Sequence, residues 1–337
     1  MTSPKINEAS KGVYIIAATP FDDNGELDLE STDSLTDFYL EKGVTGFTIL
    51  GMMGEAPKLT EEETLTVMDR VLRRIAGRVP VVVGVSHASN RHVERLSKTA
   101  MDQGAAGVMI APVANLKTDE QIYNYFAGMA QLLGPHIPIC LQDFPQVTGV
   151  HMSVGVILRL IADFPQIVML KHEDFPGMRK LSEVRAQSSA AARRRISVLV
   201  GNGGLFLPQE MLRGADGAMT GFAYPEMLVQ ACALFEQGRG DEAEDLFNLY
   251  LPLLRHEFQY GLGLALRKET LMRRGAIRSA YVRRPGPCST PSTRPNSAAW
   301  SRARTRRCAN AGADSTPFSF HPDQRPPAGD PRSHHAT

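Results

Sequence analysis

The sequence predicts an α/β chain, a (β/α)8 TIM barrel with a small C-terminal helical extension. Two observations carry this expectation. Short apolar, β-branched runs bounded by Gly, Pro or Asp recur eight times along the first two-thirds of the chain. Their centres lie about 20 to 35 residues apart, which leaves room for one crossover helix in each gap.

Taken in order, the runs fall at 13–18, 46–50, 81–85, 108–111, 138–141, 167–171, 198–200 and 217–220. They read as unbroken apolar segments rather than alternating ones, the pattern of strands covered on both faces in a parallel sheet. Amphipathic segments fill the gaps, for example at 29–42, 61–76, 90–103 and 119–133. Eight strand–helix units ending near residue 235 favour a closed barrel over an open doubly wound sheet. No Gly-x-Gly-x-x-Gly or Walker loop follows any run, so a nucleotide-binding fold finds no support. Two more helical segments, 240–258 and 262–274, exceed what a barrel needs. The expected division is therefore a barrel at 1–235, a helical extension at 236–284 and a tail at 285–337.

That tail holds nine Pro and seven Arg and lacks Leu, Ile, Val, Met, Lys and Glu, so it is expected to be disordered. Its composition also fits a terminus read in a shifted frame. Without it the body carries 30 basic and 33 acidic residues. The whole chain, 337 residues with a net charge of +1, offers no field for a nucleic-acid backbone or an anionic membrane. No apolar stretch approaches the roughly 20 residues of a bilayer span, and no signal-peptide core opens the chain. Cys140, Cys232, Cys288 and Cys308 are spaced for neither a zinc site nor a disulfide framework. The expectation is a cytoplasmic protein with no metal or organic cofactor, no nucleic-acid partner and no membrane partner.

Chemistry in such a barrel sits at the carboxyl ends of the strands. The polar residues there are Thr19, the 51–55 loop, Ser86 and His87, Gln142 and Asp143, Lys171 to Glu173, Asn202 and Thr220. Lys171 is the most informative. Strand alternation puts it on the face of Met169, and inside an apolar tube desolvation disfavours the ammonium form and frees the amine to attack a carbonyl. The competing reading is a strand-end lysine that snorkels to solvent.

Residues 12 to about 287 resemble the dihydrodipicolinate synthase / N-acetylneuraminate lyase family of class I aldolases. The matching segments are Ala18-Thr19-Pro20-Phe21, Gly51-Met52-Met53-Gly54-Glu55 with Leu59-Thr60-Glu61-Glu62-Glu63, and Pro145 with Thr148-Gly149. Lys171, Gly201-Asn202-Gly203, Gly214-Ala215-Asp216-Gly217, Leu266-Arg267-Lys268-Glu269 and Gly275 complete them. The resemblance implies a homotetrameric barrel lyase, or a homodimer, in which Lys171 forms an imine with a 2-oxo acid such as pyruvate.

Departures from the family pattern redirect the assignment. The family's Gly-Thr-Thr-Gly-Glu carries Met52 and Met53 in place of both threonines. Gln142 stands where the family's proton-shuttling tyrosine would be, the partner-lent second tyrosine aligns near Ala114, and Val147 replaces the synthases' carboxylate-holding arginine. The tyrosine relay is absent, which argues against 4-hydroxy-tetrahydrodipicolinate synthase proper.

The reading is a Schiff-base lyase or aldolase with Lys171 as nucleophile. His87, Gln142 and Glu173 are the candidates for proton transfer, and alternation favours Glu173 over His172. Met52, Met53 and Gly54 would offer backbone N–H groups to the substrate carboxylate, while Thr19, Asp143, Asn202 and Thr220 would contact substrate. Glu55 is expected to brace its loop, and Met52 and Met53 suit a less polar substrate tail. A barrel that binds a 2-oxo acid without turning it over is the rival.

Overall fold

The computed structural model describes residues 4–190, 194–259 and 261–286. Eight parallel strands close into a barrel in sequence order: β1 (Gly12–Ile16), β2 (Gly46–Ile49), β3 (Val81–Gly84), β4 (Gly107–Ile110), β5 (Ile139–Asp143), β6 (Ile167–His172), β7 (Ser197–Val200) and β8 (Gly217–Ala218). The expected runs coincide with these strands to within one or two residues. The last is the shortest; it meets β1 at Gly12↔Gly217, where the backbones nearly touch. A Cβ on Gly217 would lie 2.0 Å from the Gly12 carbonyl oxygen, and its φ of +146° belongs to glycine.

The outer ring consists of α1 (Leu29–Glu41), α2 (Glu61–Ile75), α3 (Asn90–Asp102), α4 (Asp119–Leu133), the single turn α5 (Pro145–Thr148), α6 (Val154–Asp163), α7 (Met178–Ala190), the short α8 (Leu207–Met211) and α9 (Pro225–Glu236). Their starts are fixed locally. Asp28, Ser89 and Ser153 cap α1, α3 and α6, and Thr60 with Glu63 and Thr118 with Gln121 form capping boxes on α2 and α4. Two further helices follow, α10 (Gly240–Glu257), which packs along α9, and α11 (Gly263–Arg273). Apart from Pro285 and Gly286, the Pro- and Arg-rich stretch lies outside the described residues. Among the described residues no helix is long and apolar enough to cross a membrane.

The barrel interior is filled by Tyr14, Ile16, Val82, Met109, Cys140, Met169, Leu199 and Met219, with Met53 packed against them from the loop after β2. One irregularity positions everything above this layer. Between β5 and β6 the register shifts, Ile139 pairing Ile167 but Cys140 pairing Met169, so Val168 is an extra residue. The insertion carries Lys171 opposite Gln142; an unbroken register would have set it opposite Asp143.

Candidate active site

Lys171 lies at the carboxyl end of β6 on the same face as Met169, and its side chain is buried among the barrel's interior residues. Its Nζ stands 2.9 Å from Glu173 Oε2, and Gln142 Nε2 donates to that same oxygen at 2.8 Å. A lysine, a carboxylate and an amide thus meet at one atom, all three nearly inaccessible to water. Glu173 holds its strand register one residue past β6 through its own N–H, which donates to the Asp143 carbonyl at 2.8 Å, and alternation keeps it inward. Below the cluster, burial pushes the Cys140 thiol up to about 12, the nearby Lys171 offsetting this only in part, so Cys140 stays protonated and unreactive.

The opposite face of the same strands gathers a second polar group. His172 turns outward, its Nε2 2.9 Å from the Gly177 carbonyl oxygen and its Nδ1 3.7 Å from Asp143 Oδ2. Asp143 accepts from Lys180 Nζ at 2.8 Å. Burial works against the imidazolium of His172, but the Asp143 carboxylate, with the Gly177 carbonyl and Glu210, outweighs it and raises the affinity for a proton. Burial also pushes Glu210 of α8 up to about 7, with His172 pulling the other way. Asp143 does not stand beside Lys171, because β5 alternation sends it outward when Gln142 points in.

The loop after β2 forms a 3₁₀ turn, Met52–Gly54. The N–H groups of Met52 and Met53 stand at its head, where no preceding turn supplies a carbonyl. Gly54 is different: its N–H donates to the Gly51 carbonyl at 3.0 Å, so it is no free donor for a carboxylate. Thr19 anchors the turn, its hydroxyl donating to the Gly54 carbonyl at 2.6 Å. Glu55 closes it. The buried Glu55 carboxylate accepts from Lys268 Nζ of α11 at 2.6 Å, from Lys58 Nζ at 2.8 Å and from the Arg283 N–H at 3.0 Å. Burial pushes Lys268 down to about 8 even with Glu55 beside it. Leu50, Glu55 and Asn202 hold left-handed backbone conformations beyond β2 and β7, so the loops at this mouth carry strain of order 1–3 kcal/mol per residue.

A cavity of about 620 Å³ opens above β2 to β5. Gln142 and Met109 reach it from the interior, and its walls include Met52, Leu59, His87, His92, Phe144 and Val147. His87 does not join the lysine cluster. It is exposed in the loop beyond β3, its Nδ1 accepting from the Ser89 N–H at 2.9 Å and its ring lying 4.2 Å from that of His92. Asn202 Nδ2 donates to the Glu173 carbonyl at 3.2 Å, placing it against the backbone of the cluster. Thr220 does not line the interior either. Met219 takes that place, and the Thr220 methyl lies beside Gly204 on the side where Leu228 of α9 packs. One residue escaped the sequence reading: Thr48, in register with the interior residues Ile16 and Val82, presents a buried hydroxyl without a partner among the described residues. A polar residue in an apolar run was the available signal. Among the described residues no group of His, Cys, Asp and Glu is arranged to hold a metal.

A closed parallel barrel with a buried lysine–carboxylate pair at its carboxyl face is an arrangement on which a lyase of the class I aldolase type can be built, and the family match below gives that class. Residues 9–299 match the Dihydrodipicolinate synthetase family, and the chain belongs to that family. It is 31% identical over 288 residues to the L-2-keto-3-deoxyarabonate dehydratase of Azospirillum brasilense, covering 84% of this chain and 91% of the relative. It is also 31% identical over 251 residues to the 4-hydroxy-tetrahydrodipicolinate synthase of Persephonella marina, covering 74% and 83%. The crystal structure of dihydrodipicolinate synthase from Rhodopseudomonas palustris superposes with a TM-score of 0.86 at 45% identity, over 88% of this chain and 98% of that one.

Proposed function

We propose that this lyase forms a Schiff base between Lys171 and a 2-oxo acid, with Glu173 moving the protons. The observation that carries the reading is the contact of Lys171 Nζ with Glu173 Oε2 at 2.9 Å inside the barrel. Imine formation needs a neutral amine, and a carboxylate in hydrogen-bond reach accepts its proton. The amine attacks C2 of the substrate to give a carbinolamine. Glu173 returns the proton to the departing hydroxyl, and water leaves the protonated imine. For carbon–oxygen cleavage, loss of a C3 proton yields the enamine, which expels the C4 hydroxyl as water; for carbon–carbon cleavage the C4 hydroxyl loses its proton, the protonated imine takes up the electrons of the C3–C4 bond, and the enamine is what remains on Lys171. Gln142 cannot transfer a proton; by donating to Glu173 it holds that carboxylate over the amine. The N–H groups of Met52 and Met53 face the substrate carboxylate in this scheme.

The dehydratase and synthase names of the relatives point in two directions. The synthase reaction calls for the family's tyrosine relay and for an arginine against the second substrate's carboxylate. Gln142 and Val147 occupy those places, so we favour a single 2-oxo acid substrate over a condensation. The working assembly proposed with it is a homodimer or homotetramer, to be checked by light scattering.

Enamine formation is tested by following the C3 protons of pyruvate in deuterium oxide by NMR. Exchange catalysed by the parent and lost in Lys171→Ala is expected. No exchange with pyruvate or any longer 2-oxo acid would leave only a binding barrel.

A further inference from the structure

The cavity above the lysine cluster has walls that sort substrates. Among the described residues its lining carries no Lys or Arg, so no permanent cation there answers a second carboxylate. Several of its polar side chains are already engaged within the protein. Thr64 donates to the Thr60 carbonyl at 2.8 Å and Glu61 pairs with Arg95. Ser86 Oγ accepts from the Ala111 N–H at 2.8 Å, and the Thr148 hydroxyl donates to the Phe144 carbonyl at 3.0 Å and accepts from the Val150 N–H at 3.2 Å. Gln142 Nε2 is held by Glu173 and His87 Nδ1 by Ser89. The rest of the lining is largely apolar, with Leu50, Met52, Leu59, Met109, Phe144 and Val147, and the rings of His87 and His92 lie against one another at a tilt of 32°.

A hydroxylated chain entering this space would give up its hydrogen bonds to water and find few in return, whereas an apolar chain gains by leaving water. We infer that the substrate is a 2-oxo acid whose tail beyond C4 is apolar, lying between Met52, Phe144 and Val147 and ending against the His87–His92 rings. The inference rests on the Schiff-base reading above, since Gln142 is the residue that joins the cavity to Lys171 and Glu173. It gives His87 and His92 a part in specificity rather than in proton transfer to the imine. Met52 and Val147, both substantially exposed at the rim, are the apolar surface that the tail would cover.

The test measures the concentration of each 2-oxo acid that half-saturates borohydride trapping on the full chain. The probes are pyruvate, 4-phenyl-2-oxobutanoate, 2-oxoadipate and a 3-deoxy-2-oxopentonate. The phenyl compound should half-saturate at least about tenfold below the other three. Val147→Arg, a change at an exposed position whose folding is checked by thermal melting, should reverse the order of the phenyl compound and 2-oxoadipate. Equal or tighter trapping of the hydroxylated or dicarboxylate probe by the parent overturns the apolar tail and leaves the Schiff-base reading standing. An unchanged order in Val147→Arg overturns the placement of the tail. Failure of all four probes to trap overturns both.

Discussion

Glu173 occupies the space that a side chain at Gly201 would need. A Cβ built on Gly201 would lie 2.2 Å from Glu173 Cγ and 2.4 Å from its Oε1. The backbone of Gly201 is not left-handed, with φ of −107°, and it is space that a side chain there lacks. The end of β7 therefore leaves room for the carboxylate that meets Lys171. Gly201→Ala must push Glu173 aside. We expect a fall of about a hundredfold in kcat, the scale reached when a reacting group is misplaced by about 1 Å, with a smaller loss of stability. Steady-state kinetics beside a denaturation curve separates the two, and unchanged kcat would show that the crowding does not bear on the chemistry.

Glu173→Gln keeps the shape of the side chain and removes its ability to carry a proton. Turnover should fall by about 10² to 10⁴, the usual contribution of a positioned acid–base group. The folded state should survive. A pH–rate profile before and after the change supplies the check, and a variant that retains parental turnover would assign proton transfer elsewhere.

The buried Lys268–Glu55 pair ties α11 to the strained turn that offers the Met52 and Met53 N–H groups. Removing one member of a buried pair leaves the other's charge uncompensated, at a cost of about 3–5 kcal/mol. Lys268→Met should fall at the lower end of that range, because Lys58 and the Arg283 N–H still serve Glu55. Adding Glu55→Gln to it should restore part of the loss. Urea unfolding of the two single variants and the double variant measures the coupling, and strictly additive effects would contradict it.

Burial raises Glu210 from 4.5 to about 7. Between those values the folded chain keeps a proton that the unfolded chain has released. The stability this group contributes is present below pH 4.5 and lost as pH rises through 7. Glu210→Gln should abolish that slope and leave the variant about 3 kcal/mol more stable than the parent at pH 8, to order of magnitude. Unfolding curves at pH 5 and pH 8 decide it; a parallel fall in parent and variant would place the carboxyl's titration outside this range.

Much of this architecture was legible in the chain. Unbroken apolar runs located all eight strands, because burial on both faces leaves little freedom in composition. Alternation past Lys171 separated the inward Glu173 from the outward His172. It failed where it was not applied, since the same rule at Gln142 turns Asp143 away from the cluster. The extra residue at Val168 was invisible, because a bulge depends on how two strands pair and not on either alone. The pairing of Lys268 with Glu55 across 213 positions is equally nonlocal. At β8 the same alternation, with Met219 inward, turns Thr220 away from the interior.

In the proposed reaction the amine of Lys171 condenses with a ketone. Borohydride reduction in the presence of pyruvate, followed by digestion and mass spectrometry of the peptide that contains Lys171, tests it most directly. A reduced pyruvyl adduct on Lys171, absent without borohydride and absent in Lys171→Arg, is the predicted result. An adduct on a different lysine, or efficient turnover of a 2-oxo acid by Lys171→Arg, would contradict it.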